Sequence, residues 1–412
     1  MTIGFENLLS KVPFLNKLSE NNKFKRTLYV FSLVCLLMTF SLSISLESIV
    51  PFNYVAIIMF GLFIGFSTLY IVLYGKLYIN RVTCLYAIFL LVQYISTIVN
   101  LFPYFTRTPT LMCLLSVFVY EFIMQFDNKE KILKIACWFS TTLLILFFFK
   151  YFSNVIRPDF SKRIGTYFGN ENDVARHLSF CLISMLILIK CSKKVLFKIL
   201  AVFFAVLSFY FILLTGSISN TIVDILVTCA FILLMTKKKG KIVFFILFVL
   251  IIIGSIIALN QPIFAPIKNR ITRIINTFVN LDGVNGTDSS SEGRFYGAVY
   301  GFKLFLQNPI FGNGYRSVHR NFNIMSHNNI AEIASDFGVA ALIAEEIIIC
   351  GPMINRKSRK SIFILFNIYI LIFQFFLVSY NAKIESIILP LILSLMGDSI
   401  LFNSDNYMEI KI

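Results

Sequence analysis

Residues 48–75 read SIVPFNYVAIIMFGLFIGFSTLYIVLYG and contain no charged side chain. A helix needs about 20 apolar residues to cross the hydrocarbon core of a bilayer, so this stretch is long enough to span a membrane. Further charge-free stretches of similar length occupy residues 27–46, 82–106, 199–223, 242–267 and 361–382. Together they predict an all-α integral membrane protein.

The composition supports this prediction. Of the 412 residues, 58% are hydrophobic and 14% are charged, whereas a soluble domain carries about 25% charged residues. These values exclude a cytosolic enzyme, a disordered chain and a secreted disulfide scaffold. The eight cysteines lie in or beside apolar stretches and form no Cys-x-x-Cys pair, so we expect neither disulfides nor a zinc site.

The basic residues indicate the number of spans and their orientation. Six weaker apolar stretches lie near residues 109–126, 132–152, 174–190, 218–236, 329–352 and 384–402, which brings the predicted total to about twelve spans. With a cytoplasmic N-terminus, every short inside segment is rich in Lys and Arg and the short outside segments hold almost none, as the positive-inside rule requires. We therefore attribute most of the net charge of +16 to topology and expect no nucleic-acid partner.

This topology divides the chain into consecutive segments. Residues 1–26 are cytoplasmic, residues 27–259 hold spans one to nine with an extracytoplasmic loop at 151–173, residues 260–328 form a large extracytoplasmic loop before the tenth span, residues 329–402 hold the last three spans, and residues 403–412 form a cytoplasmic tail. Both outside loops are basic. Long loops can escape the positive-inside rule; alternatively, these cations bind an anionic ligand, to which the planar Arg side chain is suited.

The large loop contains its own elements. Residues 281–291 are rich in Gly, Asn, Asp and Ser and predict a flexible turn. Residues 292–307 have helical spacing, with Phe295, Val299 and Phe302 on one side. Residues 308–315 predict a tight turn, and Ser326 is the expected N-cap of the tenth span.

Four stretches of the chain resemble motifs of the O-antigen polymerase and O-antigen ligase family of bacterial envelope glycosyltransferases. They are RIGTYFGNENDVA at 163–175, LTGS at 214–217, EGR at 292–294 with NPIFGNG at 308–314, and SHN at 326–328 with Glu332 and Gly338 beyond it. Ile218 stands where the family usually has Arg, which removes one candidate phosphate ligand. Glu345 and Glu346 lie inside the tenth span, where an ionisable residue is either functional or close to the membrane surface.

The resemblance implies a GT-C-like membrane glycosyltransferase that uses no cofactor. Its implied substrate is an oligosaccharide on undecaprenyl diphosphate at the outer face of the bacterial cytoplasmic membrane, and its surroundings are membrane lipid. A flippase and a chain-length regulator are further implied partners. We expect polymerisation of O-antigen, capsule or exopolysaccharide repeat units; the alternatives are transfer to lipid A-core by a ligase and, from another class, a polysaccharide or lipid transporter.

The residues of these motifs suggest roles in such a transfer. Arg294 and Arg163 are the expected catalytic cations for the departing diphosphate. Arg270 and Arg273 are weaker candidates, because a surface helix facing lipid headgroups explains them equally well. His327 is the expected base for the acceptor hydroxyl, because its ordinary pKa lies near working pH. The expected substrate-binding residues are Asn170, Asn172, Ser217, Asn328 and Glu332, and the dispersed histidines predict no metal site.

Overall fold

The computed structural model describes residues 2–4, 14, 18–45, 50–100, 107–126, 128–156, 164, 170–236, 260, 268–269, 272, 289–354, 362–375, 383–396 and 409–411. Within these residues, six helices are long and apolar enough to cross a membrane: Val55–Tyr74, Arg81–Val99, Lys129–Lys150, Glu171–Cys191, Val195–Thr215 and Ile218–Met235. This agrees with a multi-pass helical membrane protein. The total of twelve spans stays a prediction, and the stretch 242–267 lies outside the described residues.

The described elements follow one another along the chain with short connections. The helices before residue 237 are α1 (Asn22–Ser45), α2 (Val50–Tyr74), α3 (Arg81–Val99), α4 (Arg107–Met124), α5 (Lys129–Phe139), α6 (Thr141–Lys150), α7 (Phe152–Ile156), α8 (Glu171–Cys191), α9 (Val195–Thr215) and α10 (Ile218–Met235). The later ones are α11 (Ser289–Gln307), α12 (Ser317–Phe322), α13 (Asn329–Phe337), α14 (Val339–Ile354), α15 (Ile364–Phe373) and α16 (Lys383–Met396). The strands are β1 (Thr2–Gly4), β2 (Lys76–Tyr78) and β3 (Glu409–Lys411).

Helix α8 lies at the centre of the bundle. Every side chain from Val174 to Leu188 is buried, and the helix packs against α5, α9, α10 and α15. On its α15 side, the Phe180 ring lies 5.0 Å from the ring of Tyr369. Because this helix begins within the 163–175 stretch, its burial fixes the position of the end of that stretch.

The stretch predicted as the tenth span is divided into two helices at Gly338. This residue has a φ of +83°, which favours glycine, and a Cβ atom there would collide with the backbone of Ile310. The amide of Val339 donates a 2.8 Å hydrogen bond to the carbonyl oxygen of Pro309. The 308–314 turn is therefore inserted against the break between α13 and α14.

The expected N-cap at the start of this region is wrong by two residues. The side-chain oxygen of Asn328 accepts a 2.9 Å hydrogen bond from the amide of Ala331 and so caps α13. Ser326 directs its hydroxyl to Glu332 instead. A capping-type residue at either position fits the sequence, and the side-chain contact decides between them.

The three short strands form a sheet in the order β2-β1-β3. Strand β1 pairs antiparallel with β2 and parallel with β3. Both ends of the chain and the connection between α2 and α3 therefore lie on one side of the bundle. The predicted topology assigns all three of these segments to the cytoplasmic side.

Candidate active site

The helix that carries Arg294 packs backbone against backbone on the segment that carries His327. A Cβ atom at Gly297 would lie 2.6 Å from the carbonyl oxygen of Met325 and 2.7 Å from the Cα of Ser326. Side chains larger than hydrogen do not fit at such distances, so glycine permits this approach. Arg294 lies one helical turn before Gly297, and the contact brings it alongside His327.

The environment of His327 suits a proton acceptor. The residue is half-buried, and its φ of +47° is unusual for a residue other than glycine. Burial lowers the pKa of its imidazole below the ordinary value of 6.5, the positive charge of Arg294 lowers it further, and the negative charge of Asp173 raises it. The imidazole is therefore neutral, and able to accept a proton, down to a lower pH than an exposed histidine.

Glu332 and Asn328 hold the loop on both sides of His327. The hydroxyl of Ser326 donates a 2.5 Å hydrogen bond to Oε2 of the buried Glu332 carboxylate. Asn328 uses its side-chain oxygen to cap α13. Both residues were predicted to bind substrate, and the structure shows these oxygen atoms bonded within the loop. Their contact with substrate stays a prediction.

Asp336 is the anchor of this region that the sequence did not reveal. Its fully buried carboxylate accepts hydrogen bonds from the amide of Arg316 at 2.6 Å, the amide of Ser317 at 2.8 Å and the hydroxyl of Ser317 at 2.7 Å. Its backbone carbonyl accepts from the amide of Gly314 at 2.9 Å and the hydroxyl of Ser96 at 2.7 Å. Asp336 therefore joins the 308–314 turn, α12 and α3. An acidic residue next to Phe337 in an otherwise apolar helix was the available signal.

The 163–175 and 214–217 stretches meet at the start of α8. The side-chain oxygen of Asn170 accepts a 2.9 Å hydrogen bond from the amide of Asn172 and caps the helix. The amide of Ile164 donates to the carbonyl oxygen of Leu214 at 3.3 Å. The first turn of α8 then presents Asp173, which forms a 3.3 Å ion pair with Arg176 and acts electrostatically on His327.

Asn220 connects three elements beneath this junction. Its amide nitrogen donates to the carbonyl oxygen of Asn172 at 3.2 Å and to the hydroxyl of Ser217 at 2.9 Å. Its side-chain oxygen accepts from the hydroxyl of Tyr369 at 3.3 Å. The predicted substrate residue Ser217 is 1% exposed, so the structure places it in this connection rather than at a surface. Asn220 lies inside an apolar stretch, and neither motif nor spacing marked it.

The two carboxylates of the predicted tenth span have different surroundings on α14. Glu345 is buried and close enough to Tyr86 and Cys113 to interact with them electrostatically. Glu346 accepts a 3.4 Å hydrogen bond from the side-chain amide of Gln374. Through Gln374, whose carbonyl oxygen accepts from the amide at the start of α13, Glu346 is linked to the region of His327.

Other predicted cations are placed elsewhere or lie outside the described part of the chain. Arg320 donates to the carbonyl oxygens of the turn, at 2.6 Å to Asn313 and 3.0 Å to Tyr315, and so stabilises it. Arg163, Arg270 and Arg273 fall outside the described residues, and their roles stay predictions. Among the described residues, no group of three His, Cys, Asp or Glu side chains could hold a metal ion.

These features define a multi-pass helical membrane protein with a polar site of Arg, His and carboxylate side chains near one end of its bundle. The particular family follows from comparison with known proteins: residues 203–344 match the family model described as O-antigen ligase. This match confirms the resemblance to the O-antigen polymerase and ligase family and supports a glycosyltransferase-like membrane protein of polysaccharide biosynthesis that acts on lipid-linked saccharides. A search of curated proteins found no match.

Proposed function

We propose that the protein is a polysaccharide polymerase that transfers a saccharide chain from undecaprenyl diphosphate to a hydroxyl group of an acceptor lipid-linked repeat unit. The proposal places this reaction at the outer face of the bacterial cytoplasmic membrane. The observation that carries it is the pairing of Arg294 with His327, where the family-like stretches of the chain converge. Such a transfer needs a cation for the leaving group and a base for the acceptor.

The proposed chemistry begins at the acceptor. The neutral imidazole of His327 accepts the proton of the acceptor hydroxyl as its oxygen bonds to the anomeric carbon of the donor sugar. The bond between that carbon and the diphosphate oxygen breaks, and undecaprenyl diphosphate leaves with the bonding electrons. The guanidinium of Arg294 stabilises the charge that develops on the diphosphate, and His327 later releases its proton to water.

Asp173 has a supporting role in this proposal. Its carboxylate opposes the effect of Arg294 on the pKa of His327. As the imidazole becomes positively charged during proton transfer, the negative charge at the start of α8 stabilises it. Arg163 remains a second proposed cation for the diphosphate, and Asn170, Asn172, Ser217, Asn328 and Glu332, with Arg270 and Arg273, remain proposed substrate-binding residues.

The proposed architecture has about twelve spans in a GT-C-like arrangement, with both termini cytoplasmic. The sheet that joins β1, β2 and β3 supports a common side for the termini. Residues 260–328 then form an extracytoplasmic catalytic loop, between spans one to nine at 27–259 and spans ten to twelve at 329–402. A flippase that delivers the donor and a chain-length regulator are proposed partners.

A ligase is the second candidate, because the matching family model is described as O-antigen ligase. A ligase would use the same donor and the same two residues, with lipid A-core as the acceptor. The acceptor is the difference between the two candidates, so the experiment has to reveal which product accumulates.

Disruption of the gene followed by gel analysis of surface polysaccharide distinguishes the candidates. Single repeat units at the surface indicate loss of a polymerase, whereas long chains retained on undecaprenyl lipid indicate loss of a ligase. Complementation with His327→Ala should fail, and complementation with His319→Ala, the other histidine between residues 289 and 354, should succeed. Unchanged polysaccharide after disruption would contradict both candidates.

A further inference from the structure

Helix α11 turns its large apolar side chains away from the protein. Val299 and Phe302 are exposed, and Leu306 is 76% exposed. The same apolar surface continues into the following turn, where Ile310 is 62% exposed and Phe311 is also exposed. We call these five residues the α11 apolar surface. In water, a contiguous surface of this kind would be unfavourable, so a partner of apolar character is expected.

The opposite side of α11 explains why this surface points outward. Gly297 packs on the backbone of Met325 and Ser326, and a Cβ atom at Gly301 would lie 3.0 Å from the Cβ of Ala331. Small residues make the contact with the protein, and the periodic large residues lie on the other side. The helical spacing of the large residues predicted one apolar side, and in the structure that side does not face the core.

The height of the apolar surface relative to the spans indicates what covers it. The side-chain amide of Asn100, which caps the C-terminal end of α3, donates a 3.2 Å hydrogen bond to the carbonyl oxygen of Gly312. Helix α3 is long and apolar enough to cross a membrane. Ile310 and Phe311 therefore lie where a membrane-crossing helix ends, which is the boundary between hydrocarbon and headgroups.

The charge beside this surface fits the same position. Lys303 is exposed and lies one residue after Phe302, at the edge of the apolar side of α11. Helices that lie in a membrane interface bury an apolar face of Phe and Leu, and their Lys side chains extend to the headgroups.

We propose that α11 lies in the membrane interface, with the α11 apolar surface buried among the acyl chains of the adjacent leaflet. The helix then holds Arg294 at the height of the lipid phosphates. If the proposed function is correct, this is also the height of the diphosphate of a lipid-linked donor. Contact with acyl chains does not itself depend on the activity.

The single tryptophan of the chain allows a direct test. In a Trp138→Phe background, Leu306→Trp is compared with Gln307→Trp, which places the indole about 100° further around the helix. The full-length variants are reconstituted into phosphatidylethanolamine and phosphatidylglycerol vesicles with and without acyl chains brominated near the bilayer centre. Bromine quenches indole fluorescence only at short range.

We expect Leu306→Trp to emit at shorter wavelength and to be quenched roughly twofold more than Gln307→Trp, because an interfacial helix buries one face only. Ile310→Trp should behave like Leu306→Trp and serves if the latter variant fails to fold. Equal quenching at all three positions would overturn the proposal. Emission at short wavelength without quenching would also overturn it and would indicate a protein partner. Activity of the same vesicles is measured separately, so a failed proposed function leaves the quenching result interpretable.

Discussion

The hydroxyl of Ser326 donates a 2.5 Å hydrogen bond to the buried carboxylate of Glu332, across the loop that contains His327. This bond closes the loop between its first residue and the second turn of α13. His327 has a left-handed backbone conformation inside the closed segment, which costs free energy that the surrounding contacts must supply. The orientation of the proposed base therefore depends on a residue pair that need not touch substrate.

Glu332→Ala should be more damaging than Glu332→Gln. Removal of the carboxylate leaves the Ser326 hydroxyl without its acceptor, at a cost of about 1–3 kcal/mol in unfolding free energy, and releases the loop around His327. Glutamine retains an oxygen acceptor of similar reach. Thermal unfolding of the detergent-solubilised protein and polymer yield in complemented cells measure the two effects. Equal activity of both variants and the wild type would show that the bond does not position the base.

The pH dependence of transfer should reflect the pKa of His327. Because burial and Arg294 lower this pKa below 6.5, the acid limb of the kcat/KM profile should lie below pH 6.5. Asp173→Asn removes the charge that raises the pKa, so its acid limb should move to lower pH. Arg294→Gln removes a lowering charge, so its acid limb should move to higher pH, with kcat reduced about 100-fold or more.

The same pKa has a consequence for stability. A histidine with a lowered pKa in the folded protein binds fewer protons there than in the unfolded chain, so its contribution weakens as pH falls below 6.5. The control for both effects is Lys303→Gln, which changes an exposed charge on the same helix. Acid limbs that coincide in the Asp173, Arg294 and Lys303 variants would contradict the assignment of His327 as the base.

Gly338→Ala should disrupt the join between α13 and α14. Alanine is strained at a φ of +83°, and its Cβ would collide with the backbone of Ile310 and Pro309. We expect a loss of several kcal/mol in unfolding free energy, typical of strain combined with a steric clash. Gly65→Ala in α2 is the matched control, because nothing lies within 4 Å of a Cβ at that position. Equal unfolding temperatures for the two variants would contradict the close packing of the 308–314 turn.

Sequence patterns predicted local features well and long-range contacts poorly. The charge-free stretch 82–106 became α3, and the Pro- and Gly-punctuated residues 308–315 became a turn with positive φ at Gly312 and Gly314. The break at Gly338 depends on Ile310, which is distant in sequence, so hydropathy alone extended one span across it. The α11 helix was predicted, but which side faces the protein depends on glycines whose role is visible only beside their partners.

The site shows the same division. The motifs marked His327 and Arg294, and the structure brings them together. The residues that connect the motifs, Asp336 and Asn220, escaped because a buried polar residue acts through hydrogen bonds to backbone atoms of other segments. Such bonds leave no periodic pattern in the sequence. Arg163 lies outside the described residues, and its role as a second cation stays a prediction.

Asn220→Ala tests whether the start of α8 must be held in place for transfer. The substitution removes the donor to Asn172 and Ser217 and the acceptor for Tyr369, so Asp173 should lose its fixed position relative to His327. We expect a cost of about 1–3 kcal/mol in stability, because buried polar groups lose their partner. The acid limb of the pH profile should move to lower pH, as it does for Asp173→Asn. Ser208→Ala, which removes a hydroxyl bonded to its own helix at 2.7 Å, should lower stability without moving the limb. If Asn220→Ala also leaves the limb in place, Asn220 supports the fold alone and does not position Asp173.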